Sequence, residues 1–358
     1  MKYRPDFEAL EPYIRAFWAG EMVDRVAVSI TAPKKSLPNL PNTNEPWLTY
    51  TLPTDQHLDY VEAGFTHTFY GGLAFPWYAP NLGPDLFSAF LGADLKFSQE
   101  TPNTSWIDWT TRVLRDYSDL SFLAIRDDNH FYRKLLDLTR AAAERAKGKF
   151  IVGITDIHAG FDSLAVIRGG PENAAMDLVE HPDGVQVAMV KLYDAWQKVV
   201  DDILAITGKI QTGTANWINL WHPGKMYTVQ NDFSCLVSAP MYREFFLDEL
   251  VKEINYLDAS IYHLDGVECL QHLDILLEIP NLNAIQWVRG ARYDNQPIEM
   301  WFPLYQKMQA AKKAITVYPR PHEVQSVLDN LKPEGLFIQT GAKDVEEAQT
   351  ILKMCGWK

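Results

Sequence analysis

The chain has 358 residues, 47% of them hydrophobic, and carries 46 Asp and Glu against 33 Lys and Arg, a net charge of −13. Such a charge repels nucleic acid and anionic membrane surfaces at long range, which argues against either as a main partner, and the apolar content is ample for a large core. Cys235, Cys269 and Cys355 show no CxxC spacing, so a disulfide framework is not expected and a reducing compartment is.

The opening, MKYRPDFEALEPYIRAFW, is charged throughout and lacks the apolar core of a signal peptide. No run approaches the roughly 18 apolar residues that span a bilayer. The expectation is a cytoplasmic protein.

Residues 6–20 read as an amphipathic helix and residues 25–31 (RVAVSIT) as a first strand ending at Ala32-Pro33. Residues 36–53 are rich in Pro and Asn without a period, which predicts a long loop over a barrel mouth. A helix over 55–63 leads into THTFYGGLAFPWYAPNLGP, a strand and then a pocket-lining loop. Residues 97–125 predict short strands and turns.

From Asn129 the signals alternate. A helix to Lys147 precedes FIVGIT, and a helical stretch starts at Asp162. A long helix over 184–207 precedes the strands TANWINLW and MYTVQNDF. Helices over 239–256, 268–277, 298–312, 322–330 and 344–353 then flank strands over 259–263 and 284–287, followed by ITVY and GLFIQT. Strand and helix recur at roughly 30-residue spacing, the mark of stacked βαβ units.

The count of about eight strands suits a closed (β/α)8 TIM barrel, because no GxGxxG or GxxxxGK[ST] follows the first strand. No linker divides the chain, so residues 1–358 read as a single α/β domain with an N-terminal extension.

In such a barrel the carboxyl ends of the strands share one rim, and chemistry gathers there. Asp156 and His158 stand two positions apart at the end of FIVGIT, which on a strand puts both on one face. They suit proton transfer or metal binding, or else a helix cap beside a packed core histidine. His263 and Asp265 repeat the spacing before Gly266. The pair can orient an imidazole, hold a metal or bind a polar substrate.

Cys235 follows the strand that ends near Asp232, and Cys269 lies in the first turn after His263. Either is a candidate nucleophile or ligand, or a small buried hydrophobe. Phe75, Trp77, Tyr78, Trp221, His222, Trp287, Gln286, Gln339 and Thr340 fall at strand ends or in the loops beyond. Together they would line a pocket for a ring-bearing ligand, unless the aromatics are simply core. Arg289, Arg292 and Arg320 stand beyond strand ends and could bind carboxylates. No G-x-S-x-G or HExxH motif is present.

The segments FIVGITDIHAGFDSLAVIRG, NDFSCLVSAPMYREFFLDEL, YHLDGVECLQHLDILLEIPNLNAIQWVRGA and GLFIQTGAKDVEEA resemble the uroporphyrinogen decarboxylase superfamily, which includes cobalamin-dependent methyltransferases. The resemblance runs from about residue 150 to the C-terminus and more loosely over the first third. It implies the barrel, and a homodimer.

Two departures narrow the activity. Where true uroporphyrinogen decarboxylases carry an Arg-rich RQAGR-type segment, this chain reads TAPKKSLP, and Lys34 and Lys35 are poor substitutes for bidentate guanidinium groups. The zinc methyltransferases carry His-x-Cys where this chain has His263-Leu264-Asp265, and a later Cys that is absent from FIQTG.

The expected function is corrinoid-linked methyl transfer from a small methylated, ring-bearing substrate. Asp156, His158, His263 and Asp265 would be catalytic, and Trp77, Tyr78, Trp221, Asp232, Gln286, Trp287, Arg289 and Gln339 would bind substrate. Zinc would sit on His263, Asp265 and Cys235, and a separate corrinoid protein would accept the methyl group. The alternatives are a cofactor-free decarboxylase or lyase acting on a carboxylated ring, and a non-catalytic tetrapyrrole-binding protein.

Overall fold

The computed structural model describes residues 1–34, 39–293 and 295–357. Lys35 therefore lies outside the described residues. The strands are β1 (Ala27–Pro33), β2 (Thr68–Gly72), β3 (Trp77–Tyr78), β4 (Leu95–Lys96), β5 (Trp106–Ile107), β6 (Ile151–Val152), β7 (Thr214–Ala215), β8 (Trp221–His222), β9 (Met226–Gln230), β10 (Ala259–Asp265), β11 (Ala284–Val288), β12 (Ala314–Val317) and β13 (Leu336–Gly341).

The fold is α/β. Seven strands form one sheet in the order β2-β1-β13-β12-β11-β10-β9, parallel except where β2 runs against β1. Strands β9 to β13 follow in sequence order and the last then pairs with the first, Ser29 opposite Gln339. That adjacency belongs to a barrel rather than to a doubly wound sheet.

The remaining arc is stitched in pieces. Strand β3 pairs in parallel with β6, and Ile154 makes a parallel bridge to Asn216. The Asn216 amide donates to the Thr228 hydroxyl of β9 at 2.7 Å, and the Leu73 amide to the Val28 carbonyl of β1 at 2.7 Å.

Alternation along these strands divides their side chains. Tyr262, Leu264, Ile285, Ile315 and Ile338 face the helices and join the largest core. Ala27, Met226, Ala259, Ile261, Ala284, Ala314 and Phe337 form a second core with Phe7, Ile14, Phe17 and Trp18 from the N-terminal segment. Because Ala259 and Ile261 precede His263 and Asp265 on the same face, this inner cluster fills the amino end of the barrel and leaves the carboxyl end polar.

Most predicted elements are present within a few residues, and local chemistry explains several ends. Asn129 accepts from the amides of Phe131 and Tyr132 and starts the helix His130–Ala146. Asp344 accepts from Glu347 N at the start of Val345–Met354.

Four readings are corrected. The loop expected over 36–53 contains a helix, Pro46–Thr51, opened by proline in its first turn. Another unforeseen helix, Pro171–Glu180, starts after Gly169 and Gly170, both with positive φ. Residues 239–256 make two helices that break at Phe246.

TANWINLW is not one strand but the hairpin β7–β8. Its turn reverses because Asn216 Oδ1 accepts from Leu220 N at 3.0 Å and Asn219 adopts φ +61°. No helix among the described residues is long and apolar enough to cross a membrane.

Candidate active site at the barrel mouth

The chain leaves regular strand geometry after Val152, so Asp156 and His158 sit in the loop beyond β6 rather than on a strand. Tyr227 of β9 pins that loop: its hydroxyl accepts from Ile157 N at 2.7 Å and donates to the Thr155 carbonyl at 3.2 Å. Asp156 Oδ1 accepts from Gln230 Nε2 at 2.9 Å.

His158 lies between carboxylates, Nδ1 3.8 Å from Asp156 and Nε2 3.4 Å from Asp232. Burial disfavours its imidazolium, but Asp156 and Asp232 outweigh burial and raise its pKa well above 6.5. In return, the carboxyl of Asp232, which burial alone would push up, is held below its ordinary value by His158 and His263.

Asp162, in the first turn of the helix Gly160–Ile167, accepts from the amides of Asp232 and Phe233 at 3.0 and 2.7 Å and so fixes the start of the segment 232–236. Burial, with Asp232 nearby, pushes its carboxyl up to about 6. Nothing in the sequence separates this aspartate from an ordinary first-turn acid.

Asp232, His263 and Asp265 come together from the ends of β9 and β10, with one ligand atom from each within 4.8 Å of the others. His263 Nδ1 lies 2.6 Å from Gln286 Oε1, and Gln286 Nε2 donates to the Tyr318 hydroxyl at 2.7 Å. An amide oxygen can only accept, so Nδ1 donates to it, and Nε2 is the ring nitrogen that Gln286 does not engage. Trp217 stands edge-on to the same ring at 5.1 Å.

A cleft of about 320 Å³ adjoins this group, with Asp85, Asp162, Asp232 and His158 at its polar end and Trp109, Phe233, Val166 and Leu236 as apolar walls. Among the described residues, no lysine or arginine lines it. Trp77 bounds a recess of about 160 Å³ with Asn44, Asp156 and Trp217. A third hollow, about 340 Å³, lies at the ends of β1, β12 and β13 among Ser29, Thr31, Asn219, Tyr318, Gln339 and Thr340.

Other expected residues stand elsewhere. Trp221 is packed at the opposite end of the barrel, 5.3 Å from the Phe7 ring, and its carbonyl accepts from Trp18. Tyr78 faces outward into the cluster with Leu58 and Phe150, and Trp287 packs on Trp301 at 4.3 Å. Arg289 gives its guanidinium to the Gln296 carbonyl at 2.6 Å.

Cys235 is exposed on the 320 Å³ cleft but is not part of the three-residue group, and burial and nearby carboxylates raise its thiol pKa. Cys269 is buried, and its thiol is pushed up to about 12 mainly by burial. Neither thiol is set up as a thiolate. Tyr227, Trp217, Tyr318 and Asn219 were not singled out from sequence, and only the tyrosine after the strand ITV carried a positional signal.

No protein-family model and no curated protein matches this chain. Among solved structures it is similar to an HpcH/HpaI aldolase from Desulfitobacterium hafniense DCB-2, at 10% identity and TM-score 0.26 over 61% of this chain and 85% of that one. A likeness that low carries no argument about activity.

Proposed function

We propose that the barrel mouth catalyses methyl transfer from a small methylated, ring-bearing substrate, in a protein related to the uroporphyrinogen decarboxylase superfamily and its corrinoid-linked members. The observation that carries this reading is the group Asp232, His263 and Asp265. It stands beside an imidazole held between two carboxylates. Breaking a bond from methyl to oxygen or nitrogen requires that the leaving atom be protonated or bound to a Lewis acid, and the two features supply one each.

The donor set is two carboxylates and one imidazole, without the thiolates of the zinc methyltransferases. It fits a divalent cation, zinc included, that keeps open positions. Asp232 Oδ1 is buried without a hydrogen-bond partner among the described residues, and Gln286 already orients His263 as metal-binding histidines are oriented. When bound there, a divalent cation supplies Lewis acidity to the leaving heteroatom.

His158 keeps a proton on Nε2, the side facing Asp232, and gives it to the leaving atom as the methyl group departs. The methyl group passes to a reduced corrinoid on a separate protein docked over the mouth. Trp109, Phe233 and Val166 hold the ring and keep water from it. A homodimer belongs to the same proposal.

The lyase alternative keeps His158 as proton source but needs cations for the substrate carboxylates. The cleft offers carboxylates instead, and Arg289 is engaged by Gln296.

The test is metal analysis of the wild-type protein and His263→Ala after growth with zinc, with demethylation assays on methoxyaromatics and methylamines in the presence of a corrinoid acceptor. We expect near-stoichiometric metal in the wild type only, and turnover that follows it. No metal in either protein and no demethylation would overturn the reading.

A further inference from the structure

The cleft beside His158 carries more charge than a proton donor needs. Among the described residues, the charged side chains that line it are Asp85, Asp162, Asp232 and His158, three carboxylates to one imidazole. His158 already faces Asp156 and Asp232 at 3.8 and 3.4 Å, and Asp162 accepts from the amides of Asp232 and Phe233. The negative charge of the lining is therefore answered only in part.

Asp85 carries the imbalance furthest from the metal-binding group. It stands at the N-cap of the helix Leu86–Phe90 and makes no side-chain bond to that helix's amides. Its carboxyl meets the Ile107 backbone and the cleft instead, where burial raises its pKa and His158 offsets burial only in part. A carboxylate removed from water without a full countercharge is costly, and a cation entering the cleft relieves that cost.

The aromatic wall is built to stay in place. Trp109 lines the same cleft with half of its surface exposed. The strap that carries it, residues 106–117, is riveted to the corner after the helix Gly160–Ile167. Arg168 is buried and paired with Asp177 at 2.8 Å, and it also donates to the carbonyls of Leu114 and Arg115 at 2.9 and 2.6 Å. Tyr117 donates to the same Asp177, and the amides of Val113 and Leu114 both reach the Ile167 carbonyl. Gly170 lets the indole lie close, since a Cβ there would stand 3.2 Å from the ring. A fixed indole beside carboxylates suits an ammonium group, because the ring's π-electrons and the carboxylates attract the same charge.

From this we infer that the cleft takes an organic cation, an ammonium group on a small ring, with its nitrogen drawn to Asp85 and its carbon substituents packed on Trp109 and Phe233. The inference rests on the reading of this cleft as the substrate site and adds the charge that the substrate carries. The ammonium nitrogen need not be the atom that loses a methyl group. About 320 Å³ is room for one substituted ring.

The test titrates three probes of nearly one size into the full-length protein as purified, followed by NMR: benzylamine, protonated at neutral pH, benzyl alcohol and benzoate. Benzylammonium should bind with Kd about 1 mM, benzyl alcohol at least about tenfold more weakly and benzoate more weakly still. Asp85→Asn should weaken benzylammonium about tenfold and leave benzyl alcohol unchanged. Benzyltrimethylammonium separates the two ways of holding the charge. Binding as tight as benzylammonium assigns recognition to charge and rings, whereas weaker binding that still exceeds benzyl alcohol assigns part of it to an N–H donated to a carboxylate.

If Asp85→Asn does not fold, Trp109→Leu on the exposed strap decides. It should weaken benzyltrimethylammonium about two- to fivefold more than it weakens benzyl alcohol. Benzyl alcohol or benzoate bound as tightly as benzylammonium, or benzylammonium affinity unchanged in Asp85→Asn, would overturn the inference. Binding is read without corrinoid or turnover, so a failed demethylation assay leaves the charge preference standing, and equal binding of the three probes sinks it whatever that assay shows.

Discussion

The two ends of the barrel interior are built from the same strands and do opposite things. At the amino end, Ala259 and Ile261 of β10 meet Phe17, Met226 and Phe337 in a dry cluster. Two and four residues further on, the same face of the same strand carries His263 and Asp265 into a polar mouth. Stability and chemistry are therefore separated along each strand rather than between strands, and a substitution's effect should depend on its height in the barrel.

The largest effect should come from the closed end. Phe337 is buried and stands 5.0 Å from the Phe17 ring, so Phe337→Ala should cost about 3–5 kcal/mol in chemical denaturation. A value near zero would break the comparison, since it would mean the amino end is not tightly packed.

Next comes the brace of the polar end. Gln286→Leu removes the acceptor that fixes His263 and should lower affinity for a divalent cation by about 10–100-fold in a metal titration. Its stability should change far less than that of Phe337→Ala.

The smallest effect belongs to the polar end alone. His158 has a folded-state pKa above the 6.5 of an unfolded histidine, so its ion pairs stabilise the metal-free protein fully below about pH 6.5. That contribution fades as the pH rises through the folded-state value. NMR titration should find His158 still protonated at neutral pH, and Asp232→Asn should lower its pKa. A His158 signal titrating at or below 6.5 would count against the ion-paired geometry.

What could be read from sequence follows the same division. Periodicity located the barrel strands and the helices because each obeys one rule over many residues, and rim position alone brought Asp156, His158, Asp232, His263, Asp265 and Gln286 into view. The aromatic assignments fared differently. Tyr78 and Trp287 are adjacent in sequence to inward positions, and with a period of two a shift of one residue sends a side chain to the helix layer.

Trp221 was out of reach for another reason. Apolar residues on both sides of Asn219 look like a continuous strand, and the left-handed Asn219, with the Leu220 amide donating to Asn216 Oδ1, turns the chain back toward the amino end. Asp162 and Tyr227 act through backbone amides of distant segments, Asp232, Phe233 and Ile157, and such pairings leave no local pattern.

That same reversal gives separate parts of the mouth one shared wall. Three consecutive residues of the hairpin turn touch three different things: Trp217 the His263 ring, Ile218 the Gln339 amide, and Asn219 the hollow beside Ser29, Tyr318 and Thr340. A substitution that alters the backbone of this turn should therefore reach the His263 ring and the Gln339 amide together. Two compartments of the mouth are in this way bounded by a single short turn.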